Sequence, residues 1–496
     1  MPKRIAQTWR PTGGDYENVF EEQNPWHESG EVPAELAFTV ERPLAKFLWQ
    51  RITTDQPRRF QLILGPRRVG KSTSMFQTVR HLLKDAGIDK ENICWLRLDH
   101  PLLMRVNLDV LVKFFIEKRS DKKRKLYLFL DELTYAKDWD LWLKTFYDDS
   151  WPIQIVGSSS STAALRDRKM ESGVGRWEEQ FLSPYLFTEF LELNDEPSRI
   201  PVKDTFYETL YECIQSGEVH QLAEKRRRYV LTGGLPELLL DKTKTIEQNE
   251  ESILLRSQRV LRTDAVQSAI YKDIPQAFGV NDPLLLERLL YTLAGQVTGI
   301  LTPNKTCAGL SMSQPTFDRY LSFLEKAFLV FTLPNYSGSE VAIQKKRGRK
   351  LYFVDGAVRN AALQRGLAPL SNQAEMGSLL ENMAAGHLYS LCQHTNVRLF
   401  HWRDKEDEVD LVYDHPDRPM AFEIAMNPDH HRRGLWSFAE RYQRYAKNCF
   451  LVSPTCSPLM PDQTIEQVGR IPLDMFLLAA SAQAERELYK NLQAGS

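Results

Sequence analysis

LILGPRRVGKSTS, residues 62–74, runs from a short apolar strand into the start of a helix. From Gly65 to Ser72 it matches G-x-x-x-x-G-K-[ST], a phosphate-binding loop, at every fixed position. The glycines of such a loop let backbone N–H groups surround phosphate oxygens, and the helix that follows adds partial positive charge. We expect ATP to bind here. The predicted nucleotide-binding residues of the loop are Gly65, Pro66, Arg67, Arg68, Val69, Gly70, Lys71, Ser72 and Thr73.

Four side chains carry the predicted chemistry of hydrolysis. Lys71 would reach the β- and γ-phosphates, and Ser72 would ligate Mg²⁺. In LYLFLDE, a buried strand ends at Asp131, which would also hold Mg²⁺, and the adjacent Glu132 would orient and deprotonate the attacking water. Paired acids at the end of a buried strand are costly unless they are used. The sequence therefore predicts ATP hydrolysis with Mg²⁺, and not nucleotide binding alone.

The first third of the chain alternates strands with helices. Four apolar runs, FQLILG, ICWLRLD, KLYLFLD and IQIVG, are separated by helical stretches. Continuous apolar strands in this arrangement are typical of an α/β fold with a parallel sheet that is covered on both faces. Ser158 lies just past the strand IQIVG and is predicted to sense the γ-phosphate. A plain strand-end turn is the alternative.

Later segments follow different patterns. Residues 197–282 are charged and helical, and 283–360 show three helices followed by a β-ribbon, the pattern of a winged helix-turn-helix. Residues 361–496 are expected to form a small α/β domain. An irregular extension over 1–36 and a nucleotide-binding core over 37–196 complete the predicted organisation.

The composition excludes several classes of protein. A net charge of −1 over 496 residues is not that of a wholly basic nucleic-acid coat, although local basic patches are still possible. The start of the chain lacks an apolar export signal, and no apolar run approaches the roughly 18–20 residues that span a bilayer. Six scattered cysteines without a C-x-x-C pair indicate reduced thiols. We therefore expect a cytoplasmic protein with no membrane partner.

Several motifs together resemble one prokaryotic family of AAA+ ATPases in which the ATPase is followed by a C-terminal domain of unknown function. They are the loop with its Arg-Arg insert, the Asp131-Glu132 pair, IVGSSS and GRWEEQFLSPYLFTEFLEL. The resemblance covers about residues 37–450. It implies an AAA+ core with strand order 5-1-4-3-2, a helical lid, and self-association into a ring, most commonly a hexamer.

The same resemblance suggests two further residues at the nucleotide. Arg176 is a candidate for a charge-stabilising arginine that acts on its own or a neighbour's nucleotide, with a structural salt bridge as the alternative. GGLP at 233–236 resembles an element of related ATPases in which the proline, here Pro236, packs on the adenine. A simple turn is the alternative for that element.

Polar residues in the winged segment predict contact with DNA. The third helix begins with residue types that reach phosphates and base edges, and a basic loop from Gln344 to Lys350 stands at the place of the wing. The DNA-contact candidates are Gln314, Thr316, Arg319, Lys345, Lys346, Arg347 and Arg349, to which Ser313 and Tyr320 add further polar groups. Docking of a protein partner and a merely solvated charged surface are the alternatives.

The last segment resembles the PD-(D/E)XK nuclease-like domain that ends this family. In that fold three acids gather Mg²⁺ and a lysine activates water or stabilises charge, which implies Glu381, Asp410 and Glu423 as the acids. The lysine position holds Ala425, which carries no charge, so we expect a degenerate site that cuts poorly or not at all. Lys405, on a preceding turn, is the alternative source of a lysine.

These features predict an AAA+ ATPase that hydrolyses ATP to drive or gate a DNA-associated rearrangement. The winged helix and the inactive nuclease-like domain would supply contacts to DNA or to partners. One alternative is an ATP-dependent oligomerisation switch or regulator that docks protein partners. Another is an ATPase-gated DNA nuclease, for which defence against foreign DNA is one role.

Overall fold

A computed structural model describes residues 13–54, 57–104, 106–118, 124–160, 175–194, 200–216, 222–235, 250–338, 348–461 and 468–493. These residues belong to two compact units. One lies within 1–64 and 71–180, and the other within 65–70 and 181–494. No helix in the described part of the chain is both long and apolar enough to cross a membrane.

The first unit is built on a five-stranded sheet whose order is β2-β3-β4-β1-β5. This is the predicted order 5-1-4-3-2 read from the other edge, so the predicted core is confirmed. β1 runs parallel to β4, and β3 runs parallel to both β2 and β4. The strands are β1 (Phe60–Leu64), β2 (Ile93–Arg97), β3 (Leu126–Asp131), β4 (Ile153–Ser159) and β5 (Trp177–Phe181).

Helices surround this sheet, and three of them correct the prediction of an irregular N-terminal extension. The segment from 13 to 37 is helical because it has an apolar face to bury: Trp26 is fully buried, and its indole N–H donates to the Ile93 carbonyl of β2 at 3.3 Å. The helices of this unit are Gly13–Gln23, Trp26–Ser29, Ala34–Ala37, Pro43–Thr54, Lys71–Lys84, Leu108–Lys118 and Trp139–Asp148.

The second unit begins with helices, as the sequence predicts for the region after the core. They are Phe187–Leu193, Phe206–Ser216, Ala223–Thr232 and Glu250–Val260, followed by π-helical turns at Leu261–Gln267 and Ala269–Asp273 and the short helix Ile274–Phe278. Three helices and an antiparallel ribbon follow in the order predicted for a winged helix. They are Pro283–Ala294, Pro303–Leu310, Gln314–Lys326, β6 (Val330–Leu333) and β7 (Lys350–Phe353).

A second five-stranded sheet completes this unit, with the order β12-β11-β10-β9-β8. One of its faces shares a hydrophobic core with the β-ribbon and with the helices Gln373–Gln393 and Leu473–Gln493, while Arg433–Arg441 packs in a separate core. Gly356–Ala362 is a further helix. The strands are β8 (Arg398–Asp404), β9 (Asp407–Asp414), β10 (Met420–Ile424), β11 (Cys449–Ser453) and β12 (Gly469–Pro472).

Candidate functional site

Asp131 is the centre of the predicted hydrolytic site. It ends β3, is 5% exposed, and accepts a hydrogen bond on each carboxylate oxygen. Ser72 Oγ donates to Oδ2 at 2.6 Å, and the Ser158 hydroxyl donates to Oδ1. The fold brings these residues together because β3 and β4 are adjacent parallel strands, so that their carboxyl ends meet at one edge of the sheet. A hydroxyl beside a carboxylate suits Mg²⁺, which prefers oxygen ligands.

Ser158 is more closely tied to the end of β3 than the sequence suggests. Its side chain is buried, and besides bonding to Asp131 its Oγ accepts the backbone N–H of Glu132 at 3.2 Å. The hydroxyl therefore fixes the turn that carries both acids. Whether it also senses the γ-phosphate stays a prediction.

Glu132 has a backbone conformation that is unusual for its residue type. Its φ is 52°, in the left-handed region that residues with a Cβ rarely adopt. The carboxylate is half-buried, and Ser160 Oγ lies 3.4 Å from its Oε2. Non-glycine residues in such conformations concentrate at functional sites, where the surrounding structure holds them.

The two arginines of the loop form ion pairs within the second unit. Arg67 makes a two-fold contact with Asp273, with Nη2 2.6 Å from Oδ1, and Arg68 Nη2 lies 2.8 Å from Oδ2 of Asp264. Both aspartates belong to the π-helical turns. Lys71, which begins the helix after the loop, is 7% exposed.

The structure contradicts one of the roles considered for Arg176. Its guanidinium forms a two-fold ion pair with Asp148, at 2.7 and 3.0 Å, and its carbonyl accepts the backbone N–H of Phe60. Phe60 begins β1, whereas the phosphate-binding loop follows the last residue of that strand. Arg176 therefore lies at the opposite end of β1 from the loop, and its action on the chain's own nucleotide was a wrong prediction. Action on a neighbour's nucleotide stays a prediction.

Pro236 lies outside the described residues, but the two glycines before it have well-defined partners. The Gly234 N–H donates to Oδ2 of Asp355 at 2.7 Å, and its carbonyl accepts from the Tyr185 N–H at 2.6 Å. A Cβ on Gly233 would lie 2.4 Å from the Asp355 carboxylate, so only glycine fits there. This segment therefore has a structural role within the second unit. Contact of Pro236 with adenine stays a prediction.

The predicted DNA contacts are only partly accessible. Gln314 and Arg319 are exposed on the third helix and Thr316 is half-buried, but Tyr320 is 5% exposed and belongs to the core, which corrects its placement among surface groups. Arg349 is half-buried, with Nη2 3.8 Å from Oδ1 of Asp318. The remaining candidates, Lys345, Lys346 and Arg347, lie outside the described residues.

A second cluster of charged groups surrounds Lys350, the first residue of β7. Its side chain is 2% exposed, and Nζ lies 2.8 Å from Oε1 of Glu381 and 2.6 Å from both Oε1 of Glu408 and Oδ1 of Asp410. All three N–H donors of the ammonium thus have a carboxylate partner. Tyr352 also donates to Oε1 of Glu381, at 2.8 Å. Lys350 was predicted to belong to an exposed basic loop, and that placement was wrong.

The acids predicted for the nuclease-like site are brought together in this cluster. Glu381 and Asp410 share Lys350, and the Ile424 N–H, next to Glu423, donates to Oδ2 of Asp410 at 2.8 Å. Burial, reinforced by the Asp410 charge, raises the pKa of Glu381 and that of Glu423 to about 8. One lysine therefore does not neutralise the whole cluster.

Burial alone would lower the pKa of Lys350, but the surrounding carboxylates, Asp410 and Glu381 foremost, outweigh it and raise that pKa well above its ordinary value. The lysine is therefore charged at neutral pH. Lys405, the alternative considered from the sequence, is exposed on the turn between β8 and β9. Lys350 and not Lys405 supplies the ammonium beside Asp410.

The sequence did contain a signal for Lys350. Side chains alternate along a strand, so in KLYF of β7 the lysine and Tyr352 share one face. The three residues that follow the lysine are apolar or aromatic, which indicates a buried strand that begins at the lysine. The signal was hidden because Lys350 ends a run of basic residues that reads as an exposed loop.

Three family models match separate parts of the chain. Residues 57–191 match the model of an AAA domain, so this part of the chain is similar to AAA-type P-loop ATPase domains. Residues 223–368 match a domain of unknown function (DUF8612), and 376–472 match another (DUF4143). The winged-helix and nuclease-like assignments of these later parts stay predictions.

The chain is also similar to complete proteins. An uncharacterized protein of Haemophilus influenzae is 24% identical over 404 residues, which are 80% of this chain and 91% of that protein. The uncharacterized protein MJ1544 of Methanocaldococcus jannaschii is 24% identical over 367 residues, 72% of each chain. Among solved structures, the Aeropyrum pernix ORC1 protein in complex with DNA matches 68% of this chain and 93% of its own, at 13% identity and a TM-score of 0.28. That likeness is too distant to bear on function.

Proposed function

We propose that the chain hydrolyses ATP at the end of β3 and that this reaction serves a DNA-associated rearrangement. The observation that supports hydrolysis is the arrangement around Asp131. Its two carboxylate oxygens accept hydrogen bonds from the Ser72 and Ser158 hydroxyls, and Glu132 is the next residue in the chain. The AAA-domain match to residues 57–191 supports the same reaction.

Each group has a role in this proposal. The loop backbone and Lys71 bind the phosphates, and Glu132 takes the proton of the attacking water. Ser158 is a positioning residue, since it holds the Asp131-Glu132 turn. Mg²⁺ held by Ser72 and Asp131 supplies charge neutralisation at the phosphates when it is bound.

The test is ATP turnover by the purified full chain and by two lysine variants. Lys71→Ala removes the phosphate-binding ammonium and should abolish turnover. Lys84→Ala, at the other end of the same helix, removes an exposed lysine that pairs with Glu31 at 3.4 Å and should leave turnover unchanged. Normal turnover in Lys71→Ala would show that residues 65–72 are not the phosphate-binding loop of the hydrolytic site.

The link to DNA is supported by the exposed Gln314 and Arg319 on the third helix of the predicted winged segment. We expect single-stranded, duplex or forked DNA to stimulate hydrolysis. Arg319→Ala should weaken that stimulation, while Arg288→Ala, exposed on the first of the three helices, should not. Turnover that no DNA changes would favour the alternative, an ATP-dependent oligomerisation switch that docks protein partners.

A second candidate function is hydrolysis of phosphodiester bonds in the cluster around Lys350. The observation that favours it is the buried ammonium, which stands between Glu381 and Asp410 although Ala425 leaves the expected position without a lysine. In this proposal Lys350 stabilises negative charge on the phosphate. A divalent cation held by Asp410 and Glu423 supplies Lewis-acid chemistry there when it is bound.

This candidate is tested by DNA cleavage with Mg²⁺ or Mn²⁺, read on a gel. Asp410→Ala should abolish cleavage, whereas Asp417→Ala, exposed on the turn after β9, should not. If the unchanged chain cuts none of the DNA substrates, the cluster is a docking or structural element, as the sequence predicted.

A further inference from the structure

Next to the Lys350 cluster, a carboxylate and two imidazoles converge. Glu423 lies on β10, and His430 and His431 lie on the loop that leads from β10 to the helix Arg433–Arg441. Oε1 of Glu423 is 2.9 Å from Nε2 of His430, and the two imidazole centres are 4.2 Å apart. One ligand atom from each of the three residues lies within 4.8 Å of the others.

The loop is built to hold this arrangement. Oδ1 of Asn427 accepts the Asp429 N–H at 2.9 Å, and the Asn427 carbonyl accepts the His430 N–H at 3.1 Å. These two bonds form a turn at residues 427–430, shortly after the end of β10. His430 is half-buried against the carboxylate, while His431 is exposed.

A second observation concerns the other oxygen of the Glu423 carboxylate. Glu423 is 8% exposed, and within the described part of the chain its Oε2 has no hydrogen-bond partner although the atom is buried. A buried carboxylate oxygen without a partner is costly. The Asp410 carboxylate nearby also disfavours a negative charge on Glu423, and the Lys350 ammonium contacts Glu381, Glu408 and Asp410 rather than Glu423. A bound cation would relieve both features.

The distance between Glu423 and His430 fits a metal ion bound by nitrogen and oxygen. Metal–ligand bonds of roughly 2.0–2.2 Å place neighbouring ligand atoms about 2.9 Å apart at right angles and about 3.4 Å apart in a tetrahedron. The 2.9 Å between Glu423 and His430 lies at the lower end of that range. Imidazole is a ligand for Zn²⁺, Mn²⁺ and related ions, whereas Mg²⁺ prefers oxygen.

We propose that Glu423, His430 and His431 bind one transition-metal dication of the class that accepts imidazole, such as Zn²⁺, Mn²⁺ or Co²⁺. Three protein ligands leave further coordination positions for water or for a ligand oxygen. The proposal does not depend on phosphodiester cleavage, since a metal can be held here whether or not any bond is cut.

The experiment is titration of the full chain with Co²⁺ in the absence of nucleotide, after removal of metals with a chelator. Visible absorption reports coordination geometry, and calorimetry with Zn²⁺ and Mn²⁺ gives affinity and stoichiometry. We expect one site, and a loss of affinity of at least tenfold in His430→Gln and in His431→Gln. His415→Gln, on the turn after β9, is the matched control and should bind as the unchanged chain does.

Either of two results would overturn the proposal. One is that the unchanged chain binds none of Co²⁺, Zn²⁺ and Mn²⁺, and the other is that both histidine variants bind the metal as tightly as the unchanged chain does. The contact between Glu423 and His430 would then be an ion pair alone. Thermal unfolding of each metal-free variant shows whether the fold is kept. Binding without DNA cleavage would remove the phosphodiesterase candidate and leave the metal site standing.

Discussion

Asp131 and Glu132 are adjacent in the chain but differ in their surroundings. Both oxygens of Asp131 accept hydroxyl hydrogen bonds, whereas Glu132 is half-buried and has a left-handed backbone. A hydroxyl on each side of Asp131 suits this acid to hold a metal ion, and Glu132, which follows it, is the acid proposed to take the proton of the attacking water. The difference supports separate roles for the two acids.

Glu132→Gln should therefore bind ATP yet hydrolyse it at least 100-fold more slowly, because an amide cannot accept the water proton. Nucleotide binding and steady-state turnover are measured separately. Glu179→Gln, exposed on β5, provides the control. If Glu132→Gln turned over at the normal rate, another group would have to be the base.

A second prediction for a single residue concerns the contribution of Lys350 to the stability of the fold. Lys350→Met leaves buried carboxylates without a cation and should lower the free energy of unfolding by about 3 kcal/mol. Urea unfolding followed by fluorescence measures the change, with Lys405→Met, an exposed lysine, as control. Adding Asp410→Asn to Lys350→Met should restore part of the loss. No recovery would mean that packing and not charge explains the destabilisation.

Single residues also show which parts of the second charged cluster could be predicted from the sequence. Glu381, Asp410 and Glu423 could be predicted to converge because the resemblance to a nuclease-like fold implies that they share one site. The place of Lys350 beside these acids could not be predicted. Lys350 lies on the β-ribbon, more than 30 positions before Glu381 in the chain, and no local spacing connects these two residues.

Among the elements, the helix Gln373–Gln393 makes stability depend on pH. His387 is buried within it; Nδ1–H donates to the Met383 carbonyl at 2.8 Å, and Nε2 accepts the Phe187 N–H at 3.1 Å. Both ring nitrogens are thus engaged by the neutral form, and burial lowers the pKa of His387 to about 4.

The unfolded chain, with an ordinary histidine pKa near 6.5, binds the proton more readily than the folded chain does. The stability that the neutral His387 contributes is therefore fully present above pH 6.5 and is lost as the pH falls toward 4. From pH 7.5 to 5 this residue alone should remove about 2 kcal/mol. His387→Gln should reduce that pH dependence in urea unfolding, and His100→Gln, in the first unit, should not. Equal pH profiles for all three chains would contradict the prediction.

The strands were predictable where they are buried on both faces. β1 to β4 are continuous apolar runs, and each was recognised from that property alone. β5 was not recognised, because WEEQF carries polar side chains that an edge strand tolerates. The helices between 13 and 37 were missed because they are short, and only tertiary contacts such as those of Trp26 show that they are buried.

At the scale of the whole molecule, one prediction concerns the assembly of several copies of the chain. Family resemblance implies a ring, most commonly a hexamer, in which Arg176 is predicted to act on a neighbour's nucleotide. Glu132→Gln with ATP should therefore sediment as a larger closed assembly than the nucleotide-free chain. Arg176→Ala should lower turnover in mixed assemblies, and Arg403→Ala, exposed on β8, should not. A chain that stays monomeric with ATP would rule out a role for Arg176.

The left-handed backbone of Glu132 has a consequence for any attempt to engineer this protein. Glycine adopts a φ of 52° without strain, so Glu132→Gly should relax the turn after β3 and could raise the melting temperature. It would also remove the carboxylate. Directed evolution for heat resistance alone would thus enrich inactive chains at this position, so such a screen needs selection for activity in every round.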